Sequence, residues 1–154
     1  MTTTIEQPIR AAGIRWGRIV VGAVPLEFVL VAVLVPIGIT FGEPFIPNSS
    51  TTGDYTVFLT AVPVACLVFG YVAGMLLVRN VLTRHALHGL LLGVAATAFY
   101  LAMTAGSQGG LAPAVAGYGA TLFWLTQILR IVGTTAGASL HGRPRIRNSV
   151  MSGL

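Results

Sequence analysis

Glu27 is an acidic residue inside a long apolar run, where a charged side chain is unusual. It follows Arg18 by nine residues, about 13–14 Å along a helix. The hydrocarbon core of a bilayer is about 30 Å thick, so Glu27 is predicted near its midplane. A charged carboxylate there costs at least about 2.5 kcal/mol. We therefore expect Glu27 to face a bundle interior, to be paired or to be protonated.

Arg130 is the one basic residue inside an apolar run. It belongs to a set of small and polar residues that recur at three- and four-residue spacing, which places them on one face of a helix. Such a face is expected to point into a helix bundle rather than toward lipid. The set is Thr126, Gln127, Arg130, Gly133, Thr134 and Gly137.

Four interpretations of these residues follow. Glu27 and Arg130 form a structural ion pair between the first and fourth spans, or Arg130 extends to the cytoplasmic headgroups. In the second case Glu27 is protonated or accepts a hydrogen bond from Gln127 or Tyr100. A third interpretation makes Glu27 a proton or cation site with Arg130, Gln127 and Tyr100 around it, and a fourth has the ion pair broken and remade during transport.

The elements that position these residues are predicted to be transmembrane helices. Of 154 residues, 55% are hydrophobic and 8% are charged, whereas a soluble domain carries about 25% charged residues. In water such a chain would expose large apolar patches. The composition predicts a single-domain, all-α integral membrane protein in contact with the lipid bilayer. We expect a multi-pass protein of the cell membrane, the inner membrane if the source is bacterial.

Four apolar runs are long enough to cross a bilayer, which takes about 20 residues. They are separated by a loop at 42–54 with two prolines and two glycines, a basic loop, and the uncharged turn AGSQGG. The sequence thus predicts a four-helix transmembrane domain over 19–140. Its spans are about 19–41, 55–78, 86–104 and 114–140, flanked by tails at 1–18 and 141–154.

The arginines predict the orientation of these spans. The chain has nine basic residues, all of them Arg, and a formal charge of +5. Three lie in the N-terminal tail, two in the middle loop and three in the C-terminal tail. By the positive-inside rule both termini and the middle loop are cytoplasmic. Because the arginines form no stripe on one face, nucleic-acid binding is not expected.

Glycines occur in pairs four residues apart near the predicted cytoplasmic ends of three spans. This spacing removes side chains from one helix face and lets two backbones approach closely. We therefore predict helix packing at these positions. The pairs are Gly70 and Gly74, Gly89 and Gly93, and Gly133 and Gly137.

Residues for metal or covalent chemistry are few. Cys66 is the single cysteine and is expected to be an inert packing residue. His85, His88 and His141 lie near the predicted interface, where contact with headgroups is favoured over haem or metal ligation. Neither HExxH nor GxSxG occurs. We expect no enzymatic activity, no metal and no cofactor.

Four short spans with one acid in the first resemble the small multidrug resistance exporters. The resemblance covers this layout and the single residue Glu27. It implies a proton-coupled exporter of small cations or hydrophobic compounds, in which Glu27 serves protons and substrates within a dimer. The interpretation that we place first is a structural or accessory membrane protein. It would act through helix–helix contacts with a second copy or a membrane-protein partner.

Overall fold

The computed structural model describes residues 13–41, 56–79, 81 and 83–142. These residues form five helices and no strand, which confirms the all-helical prediction. The loop predicted at 42–54 and most of both predicted tails lie outside the described residues. The helices are α1 (Trp16–Phe41), α2 (Thr56–Val78), α3 (His85–Gln108), α4 (Ala112–Tyr118) and α5 (Ala120–His141).

Three of these helices are long and apolar enough to cross a membrane. They are α1 with 26 residues, the segment Leu59–Val78 of α2 with 20 residues, and α3 with 24 residues. Side chains such as Val21 and Ile39 of α1 are more than two-thirds exposed in the protein alone, as expected for surfaces that face lipid. The chain is a small helical membrane protein with several spans.

The fourth apolar run is not one helix. The sequence predicts a span at about 114–140, and the helix is interrupted within this range at Gly119, between α4 and α5. Gly119 has φ 76° and ψ 135°, a conformation that residues with a side chain rarely adopt. The short helix α4 occupies the stretch LAPAVAG before the break, and α5 begins at Ala120.

Helix α3 continues one turn beyond the predicted end at residue 104. It ends at Gln108, and the next residue, Gly109, has a left-handed φ of 70°. The Gly109 N–H donates to the Ala105 carbonyl oxygen, which satisfies one of the last carbonyl groups of the helix. The turn AGSQGG is therefore helical over its first four residues.

A stripe of aliphatic residues attaches α1 to the bundle. Ala23, Leu26, Leu30 and Leu34 recur every three or four residues and are nearly inaccessible. They form one apolar core with residues of the two neighbouring helices, α2 and α3. Those residues are Val62, Cys66, Leu92 and Ala96.

Glycines bring α5 against α2 with almost no side chain between the two backbones. A Cβ added to Gly74 of α2 would overlap the Thr134 carbonyl oxygen of α5. In the other direction, a Cβ on Gly137 would overlap the carbonyl oxygen of Tyr71. Gly70 and Gly133 lie in the same contact, one turn away in each helix. The two helices are therefore in backbone contact over at least two turns.

Two glycines of α3 approach an adjoining side of α5, which also includes Thr134. A Cβ on Gly93 would overlap the Thr134 hydroxyl, and a Cβ on Gly89 would lie 2.5 Å from the Thr134 carbonyl oxygen. Helix α5 is thus held between α2 and α3. We call the six glycines of this contact the glycine seam: Gly70, Gly74, Gly89, Gly93, Gly133 and Gly137.

Candidate functional site

The face of α5 that carries Arg130 points into the bundle, as predicted. All six residues of the small and polar set on this helix are buried. Arg130 itself is 2% exposed. The prediction that this face is interior is confirmed, and the alternative in which Arg130 extends to the headgroups was wrong. The guanidinium must therefore find its partners within the protein.

Glu27 of α1 supplies the opposite charge. Arg130 Nε lies 3.2 Å from Glu27 Oε1, and the two side chains are 3% and 5% exposed. Neither of these two atoms has a hydrogen bond of good geometry within the described residues, so their attraction is mainly that of two close charges. In a medium of low dielectric constant such an attraction is much stronger than in water. The pair joins α1 to α5.

The remaining sides of the guanidinium meet three further residues. Nη1 donates a hydrogen bond of 2.6 Å to Gln127 Oε1, and Nη2 lies 3.5 Å from the sulfur of Cys66. The ring of Tyr100 lies beneath the guanidinium, 4.7 Å from its central carbon, in a cation–π contact. We call Arg130, Glu27, Gln127, Cys66 and Tyr100 the Arg130 cluster.

The cluster contains one residue from each of the other three long helices. Glu27 belongs to α1, Cys66 to α2 and Tyr100 to α3, while Gln127 lies one turn from Arg130 on α5 itself. One cation therefore contacts all four long helices. A guanidinium remains charged in proteins, so each of these contacts is made to a full positive charge.

The neighbouring hydroxyl groups of α5 do not compete for the guanidinium. The Thr126 hydroxyl donates 2.8 Å to the Leu122 carbonyl oxygen, and the Thr134 hydroxyl lies 3.1 Å from the Arg130 carbonyl oxygen. Each is satisfied within its own helix, a common arrangement for threonine in a helix interior. This leaves Glu27 as the anion that balances Arg130 within the described residues.

The structure brings together the four residues of the predicted site. Two contacts differ from the prediction: the partner of Gln127 and Tyr100, and the contact made by Cys66. Gln127 and Tyr100 contact Arg130 rather than supplying a hydrogen bond to Glu27. The sequence predicts packing alone for Cys66, but its sulfur faces the guanidinium. A cysteine in an apolar run gives no sequence signal for such a contact, because the partner lies on another helix.

His88 has a different environment from the one predicted. It is 1% exposed rather than in contact with headgroups. Its Nε2 accepts a hydrogen bond of 3.3 Å from the Arg15 backbone N–H, so Nδ1 carries the proton and donates to the Arg84 carbonyl oxygen, 3.0 Å away. This histidine ties the start of α1 to the start of α3.

The histidines do not come together as a metal site. Within the described residues no three His, Cys, Asp or Glu side chains are placed to hold one metal ion. His85 Nε2 faces the Val81 carbonyl oxygen at 2.9 Å, while the ring of His141 packs edge-on against Tyr71 with centroids 5.6 Å apart. Each of the three rings thus has a local structural contact.

Comparison with known proteins gives no relative from which a function could be inferred. No protein-family model matches the chain, and no curated protein or solved structure matches it either. The geometry of the Arg130 cluster is therefore the basis for the functional proposals that follow.

Proposed function

We propose that the chain crosses the cell membrane four times, with α5 as the fourth span and both termini in the cytoplasm. Helix α5 has 22 residues, about 33 Å at 1.5 Å per residue, which matches the hydrocarbon core. Its low share of apolar residues comes from the polar face that it turns into the bundle. The arginine distribution supports the orientation.

We further propose that the protein is a structural or accessory membrane protein rather than an enzyme. It would act as a rigid four-helix unit whose lipid-facing side chains contact a second copy or another membrane protein. The observation that carries this proposal is that Arg130 contacts a side chain of every other long helix. A cation used in this way stabilises one arrangement of the helices.

The ion pair supports a structural role because both charges are already committed to each other. Glu27 and Arg130 are 4% and 2% exposed, and the pair is surrounded by Cys66, Tyr100 and Gln127. A polar pair buried in this way specifies which helix faces meet, since any other rotation of α1 would leave a charge in lipid. No cofactor is required for this role.

A double-mutant cycle tests the proposal. Glu27→Gln or Arg130→Gln alone leaves one buried charge without its partner, which is expected to cost about 3–5 kcal/mol of folding free energy. The double variant removes both charges and is expected to recover part of the loss. The free energy of unfolding of the purified protein in detergent, measured with a denaturant, gives all four corners of the cycle.

Two results of this cycle would contradict a structural ion pair. A Glu27→Gln protein as stable as the wild type would contradict a structural ion pair. Additive losses in the double variant would contradict it as well, because residues that do not interact give additive effects. The control is Thr126→Val, on the same buried face of α5, which is expected not to be coupled to Glu27→Gln.

A second candidate function, proton-coupled export of small cations or hydrophobic compounds, is favoured by the attachment of α1. This helix contains Pro25 and Pro36, each of which removes a backbone hydrogen bond and permits bending. Its contact with the bundle uses the ion pair, the aliphatic stripe and the hydrogen bond from Arg15 to His88, whereas the seam glycines lie on α2, α3 and α5. Movement of α1 would separate Glu27 from Arg130 and free the carboxylate.

Transport is tested with purified protein in liposomes that carry a proton gradient. Tetraphenylphosphonium serves as the probe cation, and a pH-sensitive dye inside the vesicles reports proton movement. An exporter would move protons against the probe, and Glu27→Gln would abolish this exchange while Glu27→Asp would retain part of it. Exchange no faster than in protein-free liposomes would exclude this function for the probe and leave the structural role in place.

A further inference from the structure

Three arginines cluster where α1 and α3 begin, at the same end of the bundle. The Arg15 backbone is hydrogen-bonded to His88, and His88 is hydrogen-bonded to the Arg84 carbonyl oxygen, so Arg15 and Arg84 lie close together. Arg18 lies one turn further along α1. These residues belong neither to the Arg130 cluster nor to the glycine seam.

Arg18 lies on the face of α1 that is turned toward α3. It is three residues after Arg15, which contacts His88, and four residues before Gly22, where a Cβ would lie 3.2 Å from Leu92. The Nη1 atom of Arg18 is buried and has no hydrogen-bond partner within the described residues. A buried charged donor without an acceptor is costly. Its position therefore calls for an anion.

The start of α3 adds unpaired donors to the same place. Arg84, its N-cap residue, has φ 56° and ψ 40°, and its side chain makes no capping hydrogen bond. Backbone N–H groups in the first turn of a helix lack partners within the helix and favour anions. Helix α3 has 24 residues, so its dipole is well developed at this end.

No carboxylate of the described residues neutralises this group. The sole acidic residue in the described ranges is Glu27, which is paired with Arg130. Glu27 also lies nine residues beyond Arg18, about 13–14 Å along the helix. Among the described residues, the region between the starts of α1 and α3, which we call the groove, therefore has a net positive charge and an unsatisfied donor.

We propose that this groove binds the phosphate group of an anionic phospholipid, with the partly exposed Arg18 side chain as its central donor. The Arg15 and Arg84 guanidinium groups and the first backbone amides of α3 would complete the binding site. Guanidinium groups are well matched to phosphate because they donate two parallel hydrogen bonds. Basic pockets between membrane helices recognise lipid headgroups in the same way.

The surroundings of the groove favour a lipid over a free phosphate ion. Trp16, at the first turn of α1, is 59% exposed, which is typical of an aromatic side chain at the membrane interface. Beyond Arg18, Val21 of α1 is 71% exposed, and Leu90 of α3 is 41% exposed. These side chains give the acyl chains of a bound lipid an apolar surface beside the headgroup.

Native mass spectrometry of the full chain in a neutral detergent tests this site. The protein is titrated with phosphatidylglycerol, with zwitterionic phosphatidylcholine, and with phosphatidylglycerol in the presence of excess inorganic phosphate. We expect saturable binding of phosphatidylglycerol at least tenfold tighter than that of phosphatidylcholine, and no displacement by inorganic phosphate. Equal affinity for the two lipids would overturn the proposal, and displacement by phosphate would overturn its assignment to a lipid.

Arg18→Gln and Arg79→Gln form a matched pair of variants. Each removes one positive charge from the same end of the bundle, but Arg79 follows α2 rather than lining the groove. We expect Arg18→Gln to lose at least tenfold in affinity, because a charged hydrogen bond is lost. Arg79→Gln is expected to lose no more than about fivefold, the effect of one nearby charge. Equal losses would overturn the site in favour of unspecific attraction.

A third variant keeps the test valid if Arg18→Gln fails to fold. Arg15 has an exposed side chain and contributes to the fold through its backbone N–H, so Arg15→Gln should retain the bond to His88. Its affinity for phosphatidylglycerol is expected to fall at least tenfold as well, with helix content unchanged by circular dichroism. Unchanged affinity would overturn the proposed groove. The result is independent of the Glu27 and Arg130 cycle, since no residue is shared.

Discussion

The Arg130 cluster and the glycine seam hold the same helix, α5, by opposite means. In the cluster, a charged side chain extends from α5 and meets one residue of each of the other long helices. In the seam, side chains are absent and backbones touch directly. The first contact depends on a few strong partners, and the second on many weak ones.

The difference shows how helices associate where the hydrophobic effect cannot drive them together. Lipid tails are as apolar as leucine, so helices in a bilayer are held by close packing and by polar contacts. Close packing is sensitive to added volume, and an ion pair is sensitive to the loss of one partner. The two regions should therefore respond to different kinds of substitution.

Gly137→Ala is expected to have the largest effect among substitutions that leave the charges in place. The added methyl group would overlap the Tyr71 carbonyl oxygen, and because the obstacle is backbone, α2 and α5 must separate. Overpacking typically costs about 1–3 kcal/mol, and we expect about 3 kcal/mol here. The unfolding free energy in detergent measures the loss.

Gly106→Ala is the matched control for the seam. Gly106 lies within α3, and a Cβ there would meet no atom within 4 Å. This substitution is expected to leave stability unchanged or to raise it by up to about 1 kcal/mol, since alanine favours a helix over glycine. If Gly137→Ala behaved like Gly106→Ala, the seam would not be a tight backbone contact.

Tyr100→Leu sharpens the comparison on the side of the cluster. It removes the ring beneath the Arg130 guanidinium and is expected to cost about 2 kcal/mol, the value of a cation–π contact away from water. Tyr100→Phe keeps a ring in place and should cost much less. Thermal unfolding of the two variants measures the difference, and equal losses would show that the aromatic face does not contribute.

Cys66→Ala should have the smallest effect, about 1 kcal/mol, because thiol sulfur is a weak acceptor and the cavity left behind is small. Cys66→Ser keeps an acceptor near Arg130 Nη2 and is expected to lie closer to the wild type. Thermal unfolding again provides the measurement. A loss in Cys66→Ala as large as that in Glu27→Gln would mean that α2, rather than α1, supplies the main partner of Arg130.

Much of the cluster was predictable from the sequence, because charges in apolar runs are few. Glu27 and Arg130 are costly in lipid, so pairing them was one of a small number of solutions. The spacing along α5 also predicted that Arg130, Gln127 and Thr134 would face inward. The sequence did not predict which interpretation of Glu27 and Arg130 holds, because that depends on how α1 is rotated about its own axis against its neighbours.

Two side-chain contacts between helices were not predicted from the sequence, those of Cys66 and His88. Cys66 has no polar neighbour in its own helix that would indicate a contact with Arg130. His88 is buried because the start of α1 packs against it, and that contact is not evident from the sequence of α3. The break at Gly119 was missed for another reason. Glycine is common in membrane helices, and the amino-acid sequence does not reveal which glycine adopts a positive φ.

The connection of Arg130 to all four long helices has a consequence for biosynthesis. Helix α5 is the last of the five helices of the described residues, and Glu27 is synthesised before Arg130 because it precedes it in the chain. Until α5 has been synthesised, the carboxyl group of Glu27 cannot pair with Arg130, and a charged acid is costly in lipid. We therefore expect α1 to reach its final place in the bilayer only after α5 has joined the bundle.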